Sequence, residues 1–186
     1  MTIFPQPPYL VPTSKEGIME LAEPHLTVVE VGFGFWLVVL LKAGYKTDGA
    51  SVPEEKLKDS KIVKRLCKII AKHYPGKNYK EMLDYLIGTP FEMPRILAAI
   101  VHDGLYDIKW KIRWLCDRMY NAILSACEYD RVRQDIEYSG IRLFGRKNWN
   151  DVKSKHKKKM KDFVIANLVR HDKAECLKRK YIIEFG

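Results

Sequence analysis

Asp48, His102, Asp103, Tyr106 and Asp117 are the side chains of this sequence whose types and spacing could do chemistry together. His102 and Asp103 are adjacent and follow the apolar run Ile96-Leu97-Ala98-Ala99-Ile100-Val101. An imidazole and a carboxylate in such surroundings are costly to bury unless they pair or bind a metal. On a helix His102 and Tyr106 stand at i and i+4, and Asp103 and Tyr106 at i and i+3, so the three lie close to one face. Asp117 falls in a second apolar stretch, between Cys116 and Met119, with Tyr120 and Asn121 one turn on. If the two helices pack antiparallel across the turn at 107–111, Asp117 faces His102 and Asp103. Asp48 can then approach from a loop.

Three carboxylates and an imidazole in an apolar setting suit a divalent cation (Mg²⁺, Mn²⁺ or Zn²⁺) held by Asp48, His102, Asp103 and Asp117. Such an ion lowers the pKa of a bound water and makes it a nucleophile. In that reading Asp103 is also catalytic, Tyr106 positions substrate, and the chain is a small metal-dependent hydrolase for a phosphate- or cell-wall-type substrate. A helical phosphohydrolase of the His-Asp kind needs a further upstream histidine, and His73 is the candidate. The same residues support a reading without catalysis. Asp48 caps a helix opened by Pro53 or braces its own turn. His102, Asp103 and Asp117 then form a satisfied hydrogen-bonded network that fixes how the helices pack. The residues alone leave both readings open.

The elements that must position these groups are legible from periodicity and punctuation. The stretch Leu26 to Lys42 is rich in Val, Phe and Leu, with Gly32 and Gly34 spaced for a bulged or twisted hairpin. Gly32-x-Gly34 is not a phosphate loop, because Leu37 stands where the third glycine belongs. The run Val31 to Leu41 is too short for a membrane helix and reads as buried strand. GYKTDGASVP at 44–53 is a loop around the turn dipeptide Asp48-Gly49. Helices are predicted over 54–72, 79–87, 94–106, 112–128 and 131–144, with Gly145 as a stop. A long basic amphipathic helix is predicted over 148–170, with Val152, His156, Met160, Phe163, Val164 and Leu168 on one face.

Three of these segments together resemble a known family. GYKTDGASVP, DYLIGTPFEMPRILAAIVHDGLYD, and CDRMYNAILSA with a following Ile-Arg-Leu-Phe-Gly and Trp149 are similar to an uncharacterised family of bacteriophages and prophages, domain of unknown function 1353. Its signature is a T-D-G-A-S-x-P loop, an apolar helix ending in H-D-x-L-Y, and a later helical Asp. These map onto Thr47 to Pro53, His102 to Tyr106, and Asp117. The resemblance runs from about Leu37 to Trp149. It implies a phage origin and a single polar site, and it supplies no activity. A helical insertion at about 54–80 and the basic segment after Trp149 depart from the family pattern, and Cys116 stands where an Ala is usual.

Charge and composition bound the rest. The 186 residues carry 33 Lys+Arg against 23 Asp+Glu, a net of +10, and 47% are hydrophobic, which describes a folded chain and excludes a disordered one. Residues 145–186 hold 13 Lys+Arg and 5 Asp+Glu, a net of +8, which leaves +2 on residues 1–144. The candidate partner-binding residues are therefore Lys153, Lys155, Lys157, Lys158, Lys159 and Lys161, which could make non-specific contact with an anionic partner. No aromatic residues interleave them to stack bases. Cys67, Cys116, Cys127 and Cys176 have no metal or redox spacing and read as reduced thiols. The start MTIFPQPPYLVPTS lacks the basic and apolar regions of a secretory signal.

The expected architecture is α+β and mainly helical: a small N-terminal β hairpin or meander packed on a helical bundle, with a C-terminal basic amphipathic helix. Residues 1–149 form the family-like part and 150–186 a basic helical extension. The expected function is a non-catalytic virion, tail-assembly or host-interaction component. It would act with other phage proteins or host factors in the bacterial cytoplasm or the particle, with metal-dependent hydrolysis as the alternative.

Overall fold

The computed structural model describes residues 1–49 and 93–186, with single positions 64, 67, 68, 71, 72, 76, 78 and 81 between them. The helices expected over 54–72 and 79–87 fall largely outside the described residues, and so does His73.

The fold is α+β, with strands gathered toward the N-terminus and helices toward the C-terminus. Strands β1 (Thr2–Ile3), β4 (His25–Gly32), β5 (Phe35–Leu41) and β7 (Val164–Arg170) form one sheet in the order β1-β4-β5-β7. Strands β2 (Leu10–Pro12), β3 (Met19–Leu21) and β6 (Lys46–Thr47) form a smaller antiparallel sheet. The helices are α1 (Arg95–Asp107), α2 (Arg113–Ala126), α3 (Arg131–Asp151), α4 (Ser154–Met160) and α5 (His171–Phe185).

The β4–β5 hairpin explains the paired glycines. Its turn is Phe33-Gly34, and Gly32, Phe33 and Gly34 all take positive φ (100°, 55° and 70°). Pairing slips between Glu30 and Gly32, which is the expected bulge.

The larger sheet is covered on both faces, so β5 is apolar at every position from Leu37 to Leu41. Leu37, Val39 and Leu41 meet Leu97, Ile100, Val101 and Leu105 of α1 and Met119 and Ile123 of α2. Val38 and Leu40 meet Ala174 and Tyr181 of α5 on the opposite face. Helix α1 buries eleven of its thirteen residues because it lies between this sheet and α2.

Two expectations for the C-terminal third need correction. Helix α3 does not stop at Gly145 but runs on to Asp151. An added Cβ at Gly145 would lie 2.8 Å from the Tyr106 hydroxyl, so this glycine is a close approach inside a helix rather than its end. The segment 148–170 is not one helix, and 150–186 is not helical throughout. It comprises the end of α3, the short α4 and strand β7. The run Val164-Ile165-Ala166-Asn167-Leu168-Val169 places Val164, Ala166 and Leu168 on one face of the sheet and Ile165 and Val169 on the other. With both faces covered, period-2 alternation is hidden, and apolar residues four apart imitate a helix stripe. The C-terminal amphipathic helix exists, but it is α5, and the lysine cluster lies ahead of it on α4 and its flanks.

Gly104 sets how closely α1 rides on the sheet. A Cβ there would lie 2.9 Å from Leu41 Cδ2 and 3.5 Å from the Val164 methyls. Gly104→Val should therefore lower stability by about 1–3 kcal/mol through overpacking. An unchanged denaturant midpoint would show that the layers separate freely.

Candidate functional site

Asp117 of α2 is fully buried, and its carboxylate is the meeting point of three helices. The Tyr106 hydroxyl of α1 donates to its Oδ1 at 2.5 Å, and His102 Nε2 of α1 lies 3.2 Å from the same oxygen. Arg142 Nη1 of α3 donates to its Oδ2 at 2.5 Å. Arg113, one turn earlier on α2, brings its Nη1 to 3.7 Å from that Oδ2. The same guanidinium donates to the Arg142 carbonyl at 3.1 and 3.2 Å, which ties the N-terminal turn of α2 to α3.

The i, i+4 spacing of His102 and Tyr106 does what it predicts. Both rings point at Asp117, with centroids 4.1 Å apart. The Tyr120 ring meets His102 edge-on at 5.7 Å, and Trp149 of α3 meets Tyr106 edge-on at 5.1 Å. The polar knot is thus walled by aromatic rings and closed by the bare Cα of Gly145.

Asp103 lies on the other side of the imidazole. Its Oδ1 is 3.7 Å from His102 Nδ1, and its side chain is 36% exposed. Thr47 Oγ1, from the small sheet, donates to Asp103 Oδ2 at 3.3 Å and accepts the Gly49 amide at 3.0 Å. Asp48, between them, is exposed, and its charge reaches Asp103 and Tyr45. Tyr45 donates to Asp107 Oδ2 at 2.9 Å, and His156 Nε2 of α4 lies 2.8 Å from Asp107 Oδ1.

The four expected metal ligands are therefore divided by the imidazole ring. Asp103, with Asp48 near it, faces Nδ1, and Asp117 faces Nε2. Arg142 and Arg113 stand where a cation bound to Asp117 would have to be. Among the described residues no three His, Cys, Asp or Glu side chains gather closely enough to hold a metal ion. The candidate partner lysines stay together: Lys153, Lys155, Lys158, Lys159 and Lys161 are exposed on α4 and its flanks, and Lys157 is half-buried.

Charge states follow from these contacts. Burial pushes the Asp117 pKa upward, but hydrogen bonds from His102, Tyr106 and Arg142 overcome it and hold the carboxyl below its ordinary value. Burial disfavours the charged form of His102, yet Asp103 and Asp117 outweigh burial and raise its pKa. Burial and the adjacent Asp117 carboxylate push the Tyr106 phenol well up, so it stays a donor. Burial, then Asp117, pushes the Cys116 thiol up to about 12, which removes it as a nucleophile.

Sequence reasoning missed Arg142, Arg113, Glu137 and Arg95. Glu137 of α3 accepts from Tyr120 at 2.6 Å and Tyr129 at 2.8 Å and lies 3.4 Å from the buried Arg95 Nε. Arg142 had a signal, since it is the arginine of Ile-Arg-Leu-Phe-Gly. Glu137 had none, because an acidic residue on a polar helix looks solvated. No family model, curated protein or solved structure matches the chain. Among the described residues no helix is long and apolar enough to cross a membrane.

Two histidines with opposite shifts contribute opposite limbs to the pH profile. His25, buried in β4, has its pKa lowered to about 4 by burial, against an upward pull from Glu23. Unfolded, both imidazoles titrate near about 6.5. The His102 contribution is complete below that pH and is lost as pH rises through its raised folded value. The His25 contribution is complete above it and is lost as pH falls toward its folded value. Through these two groups, thermal melts should lose stability on either side of about pH 6.5. His102→Gln should flatten the alkaline limb and His25→Gln the acid limb. Limbs that neither variant alters would refute these assignments.

Proposed function

We propose that this chain is a non-catalytic bacteriophage component, a virion, tail-assembly or host-interaction protein, in which the Asp/His cluster is a structural tie. The observation that carries the reading is the saturation of Asp117: a fully buried carboxylate of α2 with both oxygens engaged by partners on α1 and α3. A catalytic acid or metal ligand needs an open coordination or substrate position, and Asp117 has its positions taken. Cations already neutralise it, and the nearest thiol is held protonated. The resemblance of Thr47 to Pro53 and His102 to Tyr106 to phage sequences supports the origin. Its partners would be other phage proteins or host factors, in the host cytoplasm or the particle.

The hydrolase alternative rests on Asp103, the half-exposed carboxylate at His102 Nδ1 with the Thr47 hydroxyl beside it. In that reading Asp103 and Asp48 would take a divalent cation at the rim of the site.

The two readings separate by experiment. As a structural tie, Asp117→Ala should cost about 3–5 kcal/mol, because it leaves Arg142 and His102 without their buried counter-charge. Tyr106→Phe should cost about 1–3 kcal/mol. Calorimetric titration of the intact protein with Mg²⁺, Mn²⁺ and Zn²⁺ should show no micromolar site. Micromolar binding of any of them that Asp103→Asn abolishes, without change in melting temperature, would overturn the proposal and favour the hydrolase.

A further inference from the structure

The C-terminus of α1 gathers segments that lie far apart in the chain. His156 Nε2 of α4 lies 2.8 Å from Oδ1 of Asp107, the last residue of α1. Trp149 of α3 meets Tyr106 one position earlier, and Arg113 of α2 bonds the Arg142 carbonyl of α3. The α1–α2 loop and the chain from the end of α3 through α4 therefore share one end of the molecule.

The excess charge sits there. Residues 108–118 hold four Lys+Arg against one Asp, and residues 146–161 hold eight Lys+Arg against one Asp. These two stretches account for +10, the whole formal charge of the chain. The acid of the first stretch is Asp117, already buried against Arg142. Lys111, Arg118, Arg146 and Lys147 are exposed, as are the five exposed lysines of α4 and its flanks.

The same end presents apolar side chains to solvent. Ile112, at the head of α2, is 61% exposed, and Trp114 in the first turn is 45% exposed. The loop that leads into them is anchored by the buried Trp110. Its amide donates to the Leu105 carbonyl at 2.9 Å, and its carbonyl accepts from the Cys116 thiol at 3.0 Å. Lys109 and Lys111, on either side of it, take left-handed φ of 47° and 53°. Glycine adopts that conformation without strain, so lysine at both positions keeps charge at a conformational cost. Arg118 sets its guanidinium over the Trp114 ring, 5.2 Å from the centroid.

These features discriminate among anionic partners. Protein interfaces are depleted in lysine, and lysine dominates here. A nucleic acid strand engages cations and stacking rings, but it has no use for Ile112, and Arg118 already lies over the exposed indole. An anionic bilayer engages all of them: lysines at the headgroups, an indole at the interface and an aliphatic side chain beside it.

We propose that this basic end docks on an anionic phospholipid surface, with Ile112 and Trp114 entering the interface while Lys111 and the α4 lysines meet the headgroups. The contact is made on the face of the bilayer and requires no spanning helix. It does not depend on whether the polar knot at Asp117 is structural or catalytic.

The test uses the full chain and vesicles of phosphatidylcholine with or without phosphatidylglycerol. Co-flotation should require phosphatidylglycerol and should weaken as salt is raised. Ile112→Asn changes no charge and should lower vesicle affinity about tenfold at unchanged melting temperature. Lys158→Glu with Lys159→Glu should lower it by more than about tenfold. Should Ile112→Asn not fold, the unvaried chain gives a second reading. Mixed vesicles with brominated acyl chains should quench its tryptophan emission, and Trp114→Phe should remove most of the quenching. Equal affinity for vesicles with and without phosphatidylglycerol overturns the proposal. So does binding of a single-stranded oligonucleotide without binding of vesicles, and so does vesicle binding indifferent to Ile112→Asn with no quenching by brominated chains.

Discussion

A single buried carboxylate organises the helical half of this protein. Removing the Asp117 charge from water costs several kcal/mol, and the interior offsets that only where both oxygens meet well-placed donors. Here the donors come from α1 and α3, while Arg113 of α2 stands 3.7 Å from Oδ2 and bonds the Arg142 carbonyl of α3, so the three helices must stop at one rotation and one depth relative to each other. The other close contacts follow from that requirement. Tyr106 can reach the carboxylate because residue 145 has no Cβ, and Trp149 reaches Tyr106 because α3 continues past that glycine.

A second polar tie repeats the arrangement. Glu137 joins Arg95, Tyr120 and Tyr129, so α1, α2 and α3 are linked again, about two turns away along α1 from His102. Two such points fix orientation as well as contact, which apolar packing alone specifies less sharply. Across the sheet the contacts are mainly apolar, with Asn167 of β7 donating to the Tyr181 hydroxyl of α5 at 3.1 Å. Leu37 to Leu41 alternate between α1 and α5, and α1 lies close on the sheet because Gly104 has no side chain.

Much of this was legible in the sequence. The apolar helix around His102, the hairpin at Gly32 and Gly34, and the facing of His102 and Tyr106 toward Asp117 follow from spacing, because each depends on neighbours in the chain. What escaped depends on distant ones. Gly145 reads as a helix stop unless the Tyr106 hydroxyl is known to fill the space of its missing side chain. Val164 to Arg170 reads as helix because a strand buried on both faces shows no alternation. Arg142 as the counter-charge of Asp117, and Glu137 as an acceptor for two tyrosines, are set by tertiary packing. The candidate site was thus found as a group of residues, while the partners that define its chemistry were not.

The partnership of β5 with β7 has a bearing on how the chain is made. Strand β5 is complete by Leu41, whereas its neighbour begins at Val164. At synthesis rates of about 5–20 residues per second, the roughly 120 intervening residues take on the order of ten seconds to emerge. Throughout that interval β5, paired with β4 alone, lacks its second antiparallel neighbour and the helix that covers its second face. The nascent polypeptide therefore carries a sticky, half-built sheet for most of its time on the ribosome. Its burden on chaperones should be governed by translation speed rather than by the stability of the finished molecule.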